Sequence, residues 1–588
     1  MQEEAVTVVP SFGLSSPYST DGLPMRNRHI TPALIMAWVR RLTGLCLLSV
    51  LAACGQSAQI ADGGGADPGV DQPPGDLPVC APGEPALELT GSVDPAEAKT
   101  YQLFPVSVAA GTGRIEVGYG WAETGPLPAT PLTATTLDLG LWDQRGYRNP
   151  AGFRGWSGSR QGRLDQGRDP VYITAESADR GYTPGAIEPG VWFVELGIAA
   201  VAPGGAQWQL RVECLRDDGS QQPMADPVDP HHVARNQPGW YHGDFHMHGF
   251  HSNPAAPDWD ALIAQARAAQ LDFLMLTEYV TGRHWAELGP VQRAHPDLLI
   301  WPGREVITYF GHVNSFGETP EVIEYRHGFE DISLGDVQQQ TLAAGALFGV
   351  NHPTTFEGPL FENFCRGCAF TLDDAIDWSR VDTIEIQNGP ALVTGAELGL
   401  PIPGEIQNPF TLTALQRWDA LIAQGAVPTA VSGSDSKGVD APEERARKGY
   451  GSSVTAVFAE SLSRAALKTA IRAGHAYIRT LGVERSPVAV MQVATADGQQ
   501  GIYGDTVHAD EATVTTTITG GAGQQLRYIV DGRLARVVPV IGDPFVDSWA
   551  VTRDAGSGPL GTAVRLEIAT SQVVTVIGNP VFLAPPTP

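Results

Sequence analysis

The pattern of apolar and polar positions divides the chain into three stretches of different predicted structure. From residue 80 to 215, short runs of alternating apolar residues, such as RIEVGYGW and GVWFVELGI, are broken by Gly and Pro and predict an antiparallel β-sandwich. From 239 to 485, helical stretches such as WDALIAQARAAQ alternate with apolar runs such as LDFLMLT, which predicts a (β/α) barrel. Residues 486–588 return to short β-like runs and predict a small C-terminal β-domain. The fold class is therefore multidomain.

Two polar segments connect these stretches. Residues 55–79 are rich in Gly, Asp and Pro and hold too few large apolar groups to fold, so they predict a disordered tether. Residues 216–238 form a second polar connector that contains proline. The hydrophobic content of 43% suits folded globular domains.

Residues 1–54 have the pattern of a leader. After Met36 come two arginines and an apolar run too short to span a bilayer, which ends in LAAC. This ending resembles a bacterial lipobox, in which the cysteine, here Cys54, becomes the lipidated first residue; an ordinary signal peptide or a buried helix is the alternative. The polar residues before it make an awkward leader, so we expect translation to start at Met36 or Met25. Gly55 is typical of outer-membrane sorting, which predicts an exported protein anchored in the bacterial cell envelope by lipid alone.

The charge of the chain disfavours two classes of partner. With 38 Lys and Arg against 65 Asp and Glu, the formal net charge is -27. Such a chain is a poor general binder of nucleic acid or of anionic membranes, and its acidic surface is most simply explained by solubility. We therefore expect no nucleic-acid partner, while the oligomeric state stays open.

The six cysteines fit export to an oxidising compartment. One lies in the leader and Cys54 is the proposed anchor, so four remain, an even number that favours disulfides. We expect Cys80 to pair with Cys214, because they bracket one β-rich segment, and Cys365 to pair with Cys368. The CRGC segment could instead be a zinc half-site or a redox pair, but the chain has no second CxxC, so a local disulfide is favoured.

Imidazoles, carboxylates and one amide recur where the apolar runs of the barrel segment end. In a parallel barrel the C-terminal ends of the strands converge on one face, so side chains far apart in sequence can meet. Any one such residue is more often a surface or satisfied core group. Their repeated coincidence with strand ends predicts a site for zinc, manganese or iron. The residues are His246, His248, Glu278, Glu305, His312, His352, Glu385, Asn388 and Asp435.

The His-x-His spacing strengthens this prediction. Alternate residues of a strand point to the same side, so His246 and His248 can bind one ion while Met247 faces the core. Asp244 shares that parity and is expected to orient a ligating imidazole. The neighbouring His242 and His251 are expected to be bystanders.

Several motifs together resemble a known superfamily. GDFHMH, LDFLMLTE, GREVITYFGHVN, VNHP, DTIEIQNG and SGSDS are similar, in this order, to the polymerase and histidinol phosphatase (PHP) superfamily of metal-dependent hydrolases. The resemblance implies a distorted seven-stranded (β/α) barrel. In the N-terminal β-region, LDLGLWDQRG, FRGWSG and YTPGAIEPGVWFVELG resemble the CehA/McbA-like members. The likeness runs from about residue 90 to 490.

The resemblance implies a two-metal site. In these relatives one carboxylate bridges two metals, and further His or Asp side chains complete each metal. The matching residues are His246, His248 and Asp435 for the first metal, Glu305 as the bridge, and His312 and His352 for the second. Where many relatives hold a third metal, this chain has Asn253, Tyr279 and Lys437. We therefore expect two divalent ions, zinc, manganese or iron, without the third.

Lys437 allows two interpretations. Its ammonium could supply positive charge to a substrate oxyanion, held in place by Glu278 and Tyr279. It could equally be a neutralising partner for excess carboxylate with no catalytic duty. Asp435, Lys437 and Glu278 are thus the candidate catalytic residues, while Asn388, like Tyr279, is expected to support the ligands.

This candidate metal site predicts a hydrolase of ester-type bonds, with a small-molecule ester as the partner. Two metals activate a bridging water and polarise the substrate, so no Ser or Cys nucleophile is required. Phosphoesters come first by resemblance to the superfamily, and carbamate or carboxylic esters next by resemblance to the subfamily. The chain has no P-loop and no GxSxG serine elbow. The alternative is a lipid-anchored binding protein that keeps the barrel but has lost turnover.

Overall fold

The structure, a computed structural model, describes most of the chain from residue 77 onward. The expected leader 1–54, its Cys54, and the expected tether as far as residue 76 lie outside the described residues. Within the described residues, none of the helices has the length and apolar character needed to span a bilayer. The described ranges are 77–125, 133–158, 169–216, 219, 223–317, 323–358, 365–398, 401–439 and 441–586.

The first part of the chain folds into two β-sheets around one apolar core. Its strands are β1 (Val79–Cys80), β2 (Leu87–Val93), β3 (Thr100–Val108), β4 (Thr112–Glu123), β5 (Thr136–Trp142), β6 (Phe153–Ser157), β7 (Val171–Thr174), β8 (Gly190–Ala200) and β9 (Ala206–Arg216). One sheet has the order β1-β3-β8-β5-β6 and the other β2-β9-β4-β7, and Val106 and Leu210 meet in the shared core. Cys80 and Cys214 form a disulfide with their Cα atoms 5.6 Å apart, which ties β1 of one sheet to β9 of the other.

The middle of the chain alternates strands with helices. The strands are β10 (Val233–Arg235), β11 (Gly239–Met247), β12 (Phe273–Tyr279), β13 (Leu299–Thr308), β14 (Gly311–Phe316), β15 (Leu347–Val350), β16 (Thr383–Asn388), β17 (Leu392–Thr394), β18 (Glu405–Gln407), β19 (Thr429–Gly433), β20 (Val454–Ala459), β21 (Leu462–Ser463) and β22 (Ala476–Arg479). The helices are α1 (Trp259–Ala268), α2 (Leu288–Ala294), α3 (Leu334–Ala343), α4 (Pro409–Ala423), α5 (Pro442–Lys448), α6 (Arg464–Arg472) and α7 (Gly482–Arg485). Short 3-10 helices lie at Pro95–Glu97, Pro150–Gly152, Arg283–Ala286, Asp373–Ala375, Trp378–Arg380 and Ala396–Leu398.

Capping and apolar spacing explain the first of these helices. The Asp258 carboxylate accepts a hydrogen bond from the Ala261 N–H at 2.8 Å, which satisfies a backbone donor that the first turn leaves free. The helix buries Leu262, Ile263 and Ala266, which lie on one face. That face packs against the sheet, in one apolar core with residues of β12 and β13.

Seven strands of this region follow one another edge to edge in the order β11-β12-β13-β14-β15-β16-β19. All adjacent pairs are parallel except those of β14, which runs antiparallel to both β13 and β15. The two outer strands of the series also meet: the Asp435 N–H donates to His246 O at 2.8 Å, and the His248 N–H donates to Ser436 O at 2.9 Å. The ends of several strands therefore face one small volume.

The strand β14 departs from the regular alternation of strands and helices. It follows β13 through a tight hairpin, with Ile307 paired to His312. Because the chain reverses there, a residue at the start of β14 reaches the same end of the sheet as residues late in β13. This reversal brings His312 beside Glu305, only seven residues earlier.

The C-terminal part forms a separate four-stranded sheet and also extends the sheet of the middle region. Its strands are β23 (Val488–Ala494), β24 (Gln500–Ile502), β25 (Thr506–His508), β26 (Glu511–Thr519), β27 (Gln525–Val530), β28 (Arg533–Pro539), β29 (Phe545–Thr552), β30 (Thr562–Ala569), β31 (Val574–Gly578) and β32 (Val581–Ala584). Strand β31 pairs with β22, so the sheet continues past the expected domain boundary at 485/486. The Asn579 side chain accepts from the Ala430 N–H at 2.8 Å and donates to Ala430 O at 3.1 Å. Residues 74–588 belong to one compact unit.

A buried ion-pair network joins the first two sheets to the seven-stranded region. The Arg326 guanidinium is fully buried; it lies 3.3 Å from Glu195 and 2.7 Å from Glu324. The Glu195 carboxylate also accepts hydrogen bonds from Tyr325 at 2.6 Å and from the Trp142 indole at 3.0 Å. Burial would lower the pKa of Arg326, but the two carboxylates raise it above its usual value. Buried charges of this kind are tolerated because each has partners.

We expect Arg326→Met to lower the free energy of unfolding by about 3–5 kcal/mol, because it leaves Glu195 buried without its counter-ion. The exposed pair Arg267–Asp297 provides a matched control. Arg267→Met should cost less than about 1 kcal/mol, since exposed ion pairs contribute little. Urea unfolding followed by tryptophan fluorescence measures both. Equal costs for the two variants would contradict the proposed weight of the buried network.

Candidate metal centre

The first group of ligands surrounds one oxygen of Glu305. The Nε2 atoms of His246 and His248 each lie 3.3 Å from Glu305 Oε2. The His248 Nε2 also lies 3.0 Å from Asp435 Oδ1. His246 lies near the end of β11, and His248 directly follows that strand. Asp435 lies two residues after β19, so the ends of two strands bring these side chains together. Both imidazoles and Glu305 are buried.

The second group surrounds the other oxygen of the same carboxylate. The His312 Nδ1 lies 3.2 Å from Glu305 Oε1, and the His352 Nε2 lies 3.3 Å from it. Glu305 thus presents one oxygen to each of two histidine pairs. The structure places the five other predicted ligands around the carboxylate of the sixth, Glu305, although the six are spread over about 190 residues of sequence.

The donor set fits divalent metal ions. Within the described part of the chain, the Nε2 atoms of His246 and His248 are buried and make no hydrogen bond. Leaving buried nitrogen atoms without a partner is costly. Both nitrogens lie close to carboxylate oxygens, so a cation bound between nitrogen and oxygen would satisfy them. Imidazole nitrogens with carboxylate oxygens are ligands of zinc, manganese and iron. The geometry therefore suits metal in the region between the histidines and Glu305.

The electrostatics of the site also favour a cation. Burial would lower the pKa of His246, but Glu305, Glu385 and Asp435 together raise it well above its usual value. Burial would raise the pKa of Glu305, yet the neighbouring histidines hold it well below its usual range. The carboxylates of Glu305, Glu385 and Asp435 thus concentrate negative charge in a buried region, which favours the binding of a cation.

The Glu385 carboxylate accepts hydrogen bonds from two of the histidine residues. Its Oε2 accepts a hydrogen bond from the His246 Nδ1 at 3.2 Å and from the His352 backbone N–H at 2.9 Å. A carboxylate can only accept, so the His246 Nδ1 carries the proton and its Nε2 faces the centre. The amide of Asn388 donates to Glu385 at 3.2 Å and to Asp435 at 3.4 Å, so it lies where a supporting residue was expected.

Asp244 does not orient an imidazole, contrary to the prediction from strand parity. Its carboxylate accepts the backbone N–H groups of Ser434 and Gly451, each at 2.9 Å. The register of β11 against β12 shifts between Asp244 and Met247, and a bulge of this kind breaks the alternation of side chains. Burial raises the pKa of Asp244 to about 6. The Asp244 carboxylate also accepts the His246 backbone N–H at 3.2 Å, so the residue stabilises the backbone at His246 and before Asp435 and does not contact an imidazole.

The CRGC segment supports the second histidine pair. The structure contains the Cys365–Cys368 disulfide. The Arg366 carbonyl lies 3.1 Å from the His312 Nε2, and the Cys368 carbonyl lies 3.0 Å from the His352 Nδ1. Because carbonyls only accept, these nitrogens carry protons, and the opposite nitrogens face Glu305. This role could not be read from the sequence, since backbone carbonyls leave no signature in residue type.

Two residues at the centre have unusual backbone conformations. His352 has φ 26° and Asp435 has φ 48°, in the region that side-chain-bearing residues rarely adopt. Each lies two residues after the end of a strand, His352 after β15 and Asp435 after β19, at the end of the sheet where the other ligands lie. Such conformations cost energy and persist where the surrounding structure fixes them, which is common at functional sites.

Lys437 lies beside the first ligand group. Its Nζ donates to Asp435 Oδ1 at 2.8 Å and lies 5.5 Å from the centre of the Tyr279 ring. Burial would lower the pKa of Lys437, but Asp435 raises it above its usual value. Glu278 was expected to hold Lys437, yet its carboxylate accepts from the Gly249 N–H at 3.0 Å and from the Ser252 hydroxyl. Glu278 therefore stabilises the loop after β11.

The remaining residues of the first motif have partners of their own. The His251 Nε2 lies 2.8 Å from Glu287, and the His242 Nδ1 lies 3.5 Å from Asp272. The Asn253 side chain accepts the Ala255 N–H at 2.9 Å, an interaction within its own loop. Their side chains are thus engaged in contacts of their own.

A cavity of about 300 Å³ opens beside the ligands. The first β-region contributes Asp138, Trp156 and Gly158 to its wall, and the disulfide loop contributes Arg366. The Tyr309 hydroxyl, also in the wall, donates to Asp138 at 2.9 Å. These wall residues lie in motifs noted in the sequence, but no pattern indicates that a loop of one region reaches the site of another. The N-terminal sheets therefore help to shape the site.

No protein-family model and no curated protein matches the chain. Among solved structures, the chain is similar to a two-domain protein from Bacteroides vulgatus ATCC 8482 that contains a predicted PHP-like metal-dependent phosphoesterase. The sequences are 17% identical, the match covers 62% of this chain and 98% of that chain, and the TM-score is 0.33. A match with so low a TM-score assigns no function. Any functional assignment rests on the side chains of this chain.

We expect removal of the Cys365–Cys368 disulfide to weaken metal binding. Cys365→Ser with Cys368→Ser frees the loop whose carbonyls hold His312 and His352, and the loss of such supporting contacts typically costs about 10–100-fold in metal affinity. The dissociation constant is measured by competition with a chromogenic chelator. Cys80→Ser with Cys214→Ser is the matched control, which should lower stability and leave metal affinity unchanged. Equal affinities in the two double variants would refute the supporting role of the loop.

Proposed function

We propose that the protein is a metal-dependent hydrolase of the PHP superfamily that holds two divalent ions and cleaves an ester bond. The observation that carries the proposal is the position of Glu305, which presents one carboxylate oxygen to His246 and His248 and the other to His312 and His352. A single carboxylate between two histidine pairs is the arrangement that a bridging ligand requires. The series of seven strands with its reversed β14 supports a distorted barrel.

Two bound ions would supply an activated water and would polarise the ester oxygen of the substrate. The protein supplies orientation and charge around them. Glu385 fixes the proton of His246 on Nδ1, and the Cys368 carbonyl fixes that of His352 on Nδ1. Lys437 places an ammonium at the edge of the site, where negative charge on a substrate oxygen would be stabilised. Trp156 and Tyr309 line the cavity beside the ligands.

Two cationic side chains in the cavity wall support phosphoesters as substrates, beside the carboxylates of Asp138, Glu305 and Asp435 that also line it. Lys437 and Arg366 both line it, and cations at this position suit an anionic phosphoryl group. Carbamate and carboxylic esters come next. The contribution of Trp156 and Gly158, which belong to the FRGWSG segment, supports a relationship to the CehA/McbA-like members, where that segment carries the resemblance.

We propose in addition that the protein is exported and held in the bacterial cell envelope through Cys54. The two disulfides support this location, because structural disulfides persist in oxidising compartments. The acidic net charge of -27 is compatible with attachment through lipid alone.

The central experiment combines metal analysis with hydrolysis assays. We expect the purified protein, loaded with manganese, zinc or iron, to bind about two equivalents of metal. It should hydrolyse bis(p-nitrophenyl) phosphate, p-nitrophenyl phosphate or 1-naphthyl carbamate. Glu305→Gln should lose metal and lower turnover at least about 100-fold, since it removes the shared ligand.

The matched control for Glu305→Gln is Glu88→Gln on β2, which should leave metal content and rate unchanged. Fewer than two equivalents of metal in the unchanged protein, or no hydrolysis of any of the three substrates, would overturn the proposal. Metal binding without hydrolysis would favour the binding-protein alternative.

Lys437→Met separates the two interpretations of this lysine. If its ammonium stabilises charge on the substrate, kcat should fall by about 100-fold while two equivalents of metal remain bound. If it only neutralises Asp435, kcat should be unchanged at the same metal content. Lys468→Met, on α6, is the control for the loss of a lysine. The measurements are kcat and metal content of each variant.

A further inference from the structure

A second cavity, of about 420 Å³, adjoins the metal centre. Asp435 and Lys437 line both this cavity and the one described above. The two spaces are therefore neighbours along one edge of the ligand cluster. Both volumes fall in the range of about 300–1,000 Å³ that is usual for small-molecule sites.

Polar side chains such as Asn408 and Ser436 contribute to the wall of the second cavity, but apolar groups provide most of its exposed surface. The apolar side chains in its wall are Phe356, Pro390, Val393, Leu398, Phe410 and Val439. The charged groups that line it form two ion pairs: Glu397 lies 2.7 Å from Lys448, and Asp435 lies 2.8 Å from Lys437. This space suits an uncharged organic group.

The first cavity differs in chemistry. Its walls combine the rings of Trp156 and Tyr309 with the charged groups Asp138 and Arg366. It suits a group that carries both a flat face and polar atoms. A substrate centred at Asp435 and Lys437 thus meets two differently lined spaces.

We propose that the substrate carries an organic group on each side of the scissile centre, with one group in each cavity. Within the phosphoester class this means a phosphodiester rather than a phosphomonoester. The inference rests on the proposed function. A monoester would fill one cavity and leave the apolar walls of the other in contact with water, so burial of a second group adds binding energy that a monoester lacks.

Binding of inert analogues tests this proposal without turnover. Diphenylphosphinate carries two aryl groups on phosphorus, phenylphosphonate carries one, and neither has an ester bond to cleave. Val393→Trp fills the second cavity and should raise the ratio of the two dissociation constants, diphenylphosphinate over phenylphosphonate, at least tenfold. Val537→Trp, at an exposed position of β28, is the matched control and should leave the ratio unchanged. Calorimetry on the metal-loaded protein measures both constants.

Phe356→Ala offers a second variant in case Val393→Trp does not fold. It removes an apolar wall, and the same ratio should rise because only the two-sided analogue loses contacts. A ratio that stays constant in whichever of the two variants folds would overturn the proposal.

Turnover distinguishes failure of this proposal from failure of the proposed function. We expect Val393→Trp to lower the ratio of kcat/KM for bis(p-nitrophenyl) phosphate to that for p-nitrophenyl phosphate at least tenfold. If only carboxylic esters are hydrolysed, p-nitrophenyl hexanoate and p-nitrophenyl acetate replace this pair, with the same expected ratio. Hydrolysis with an unchanged ratio overturns the two-cavity proposal alone. Absence of all hydrolysis overturns the proposed function, and the proposal on substrate with it.

Discussion

The structure of the site depends on one buried carboxylate. Glu305 is almost inaccessible to solvent, and a charge in that position is tolerated only if the surroundings compensate it. Four imidazoles approach its two oxygens. Glu385 accepts from the other ring nitrogen of His246, and the carbonyls of the disulfide loop accept from those of His312 and His352. The order of strands, the reversed β14 and the turn at His352 all serve to bring these groups to Glu305.

Two elements outside the series of seven strands complete this environment. The disulfide loop places the carbonyls of Arg366 and Cys368 behind the second histidine pair. The first β-region places Trp156 over the cavity and is locked to the middle of the chain through Arg326 and Glu195. Shape and ligand orientation at the centre are therefore properties of the whole described unit rather than of one domain.

Sequence patterns could predict the ligands better than their supports. Residue type at strand ends predicted nine candidate residues, because the side chain itself carries the chemistry, and the family resemblance selected the six expected ligands among them. Asp244 was expected to orient an imidazole but accepts backbone N–H groups, including that of His246, and the shift of register between β11 and β12 that accompanies this cannot be seen in the alternation of residues. Glu278 was assigned to Lys437 because both lie near one corner, whereas a hydrogen bond to the Gly249 N–H decides its position. Contacts made by backbone carbonyls and by distant loops depend on tertiary structure alone.

The sheet that passes from β22 into β31 has a consequence for the evolution of the chain. The C-terminal strands cover an edge that would otherwise present free backbone donors and acceptors, and exposed edges of this kind recruit other chains and lead to aggregation. Asn579 likewise satisfies both polar backbone groups of Ala430. A chain without these strands would expose the edge of β22, so the seven-stranded region and the C-terminal strands are expected to be inherited together.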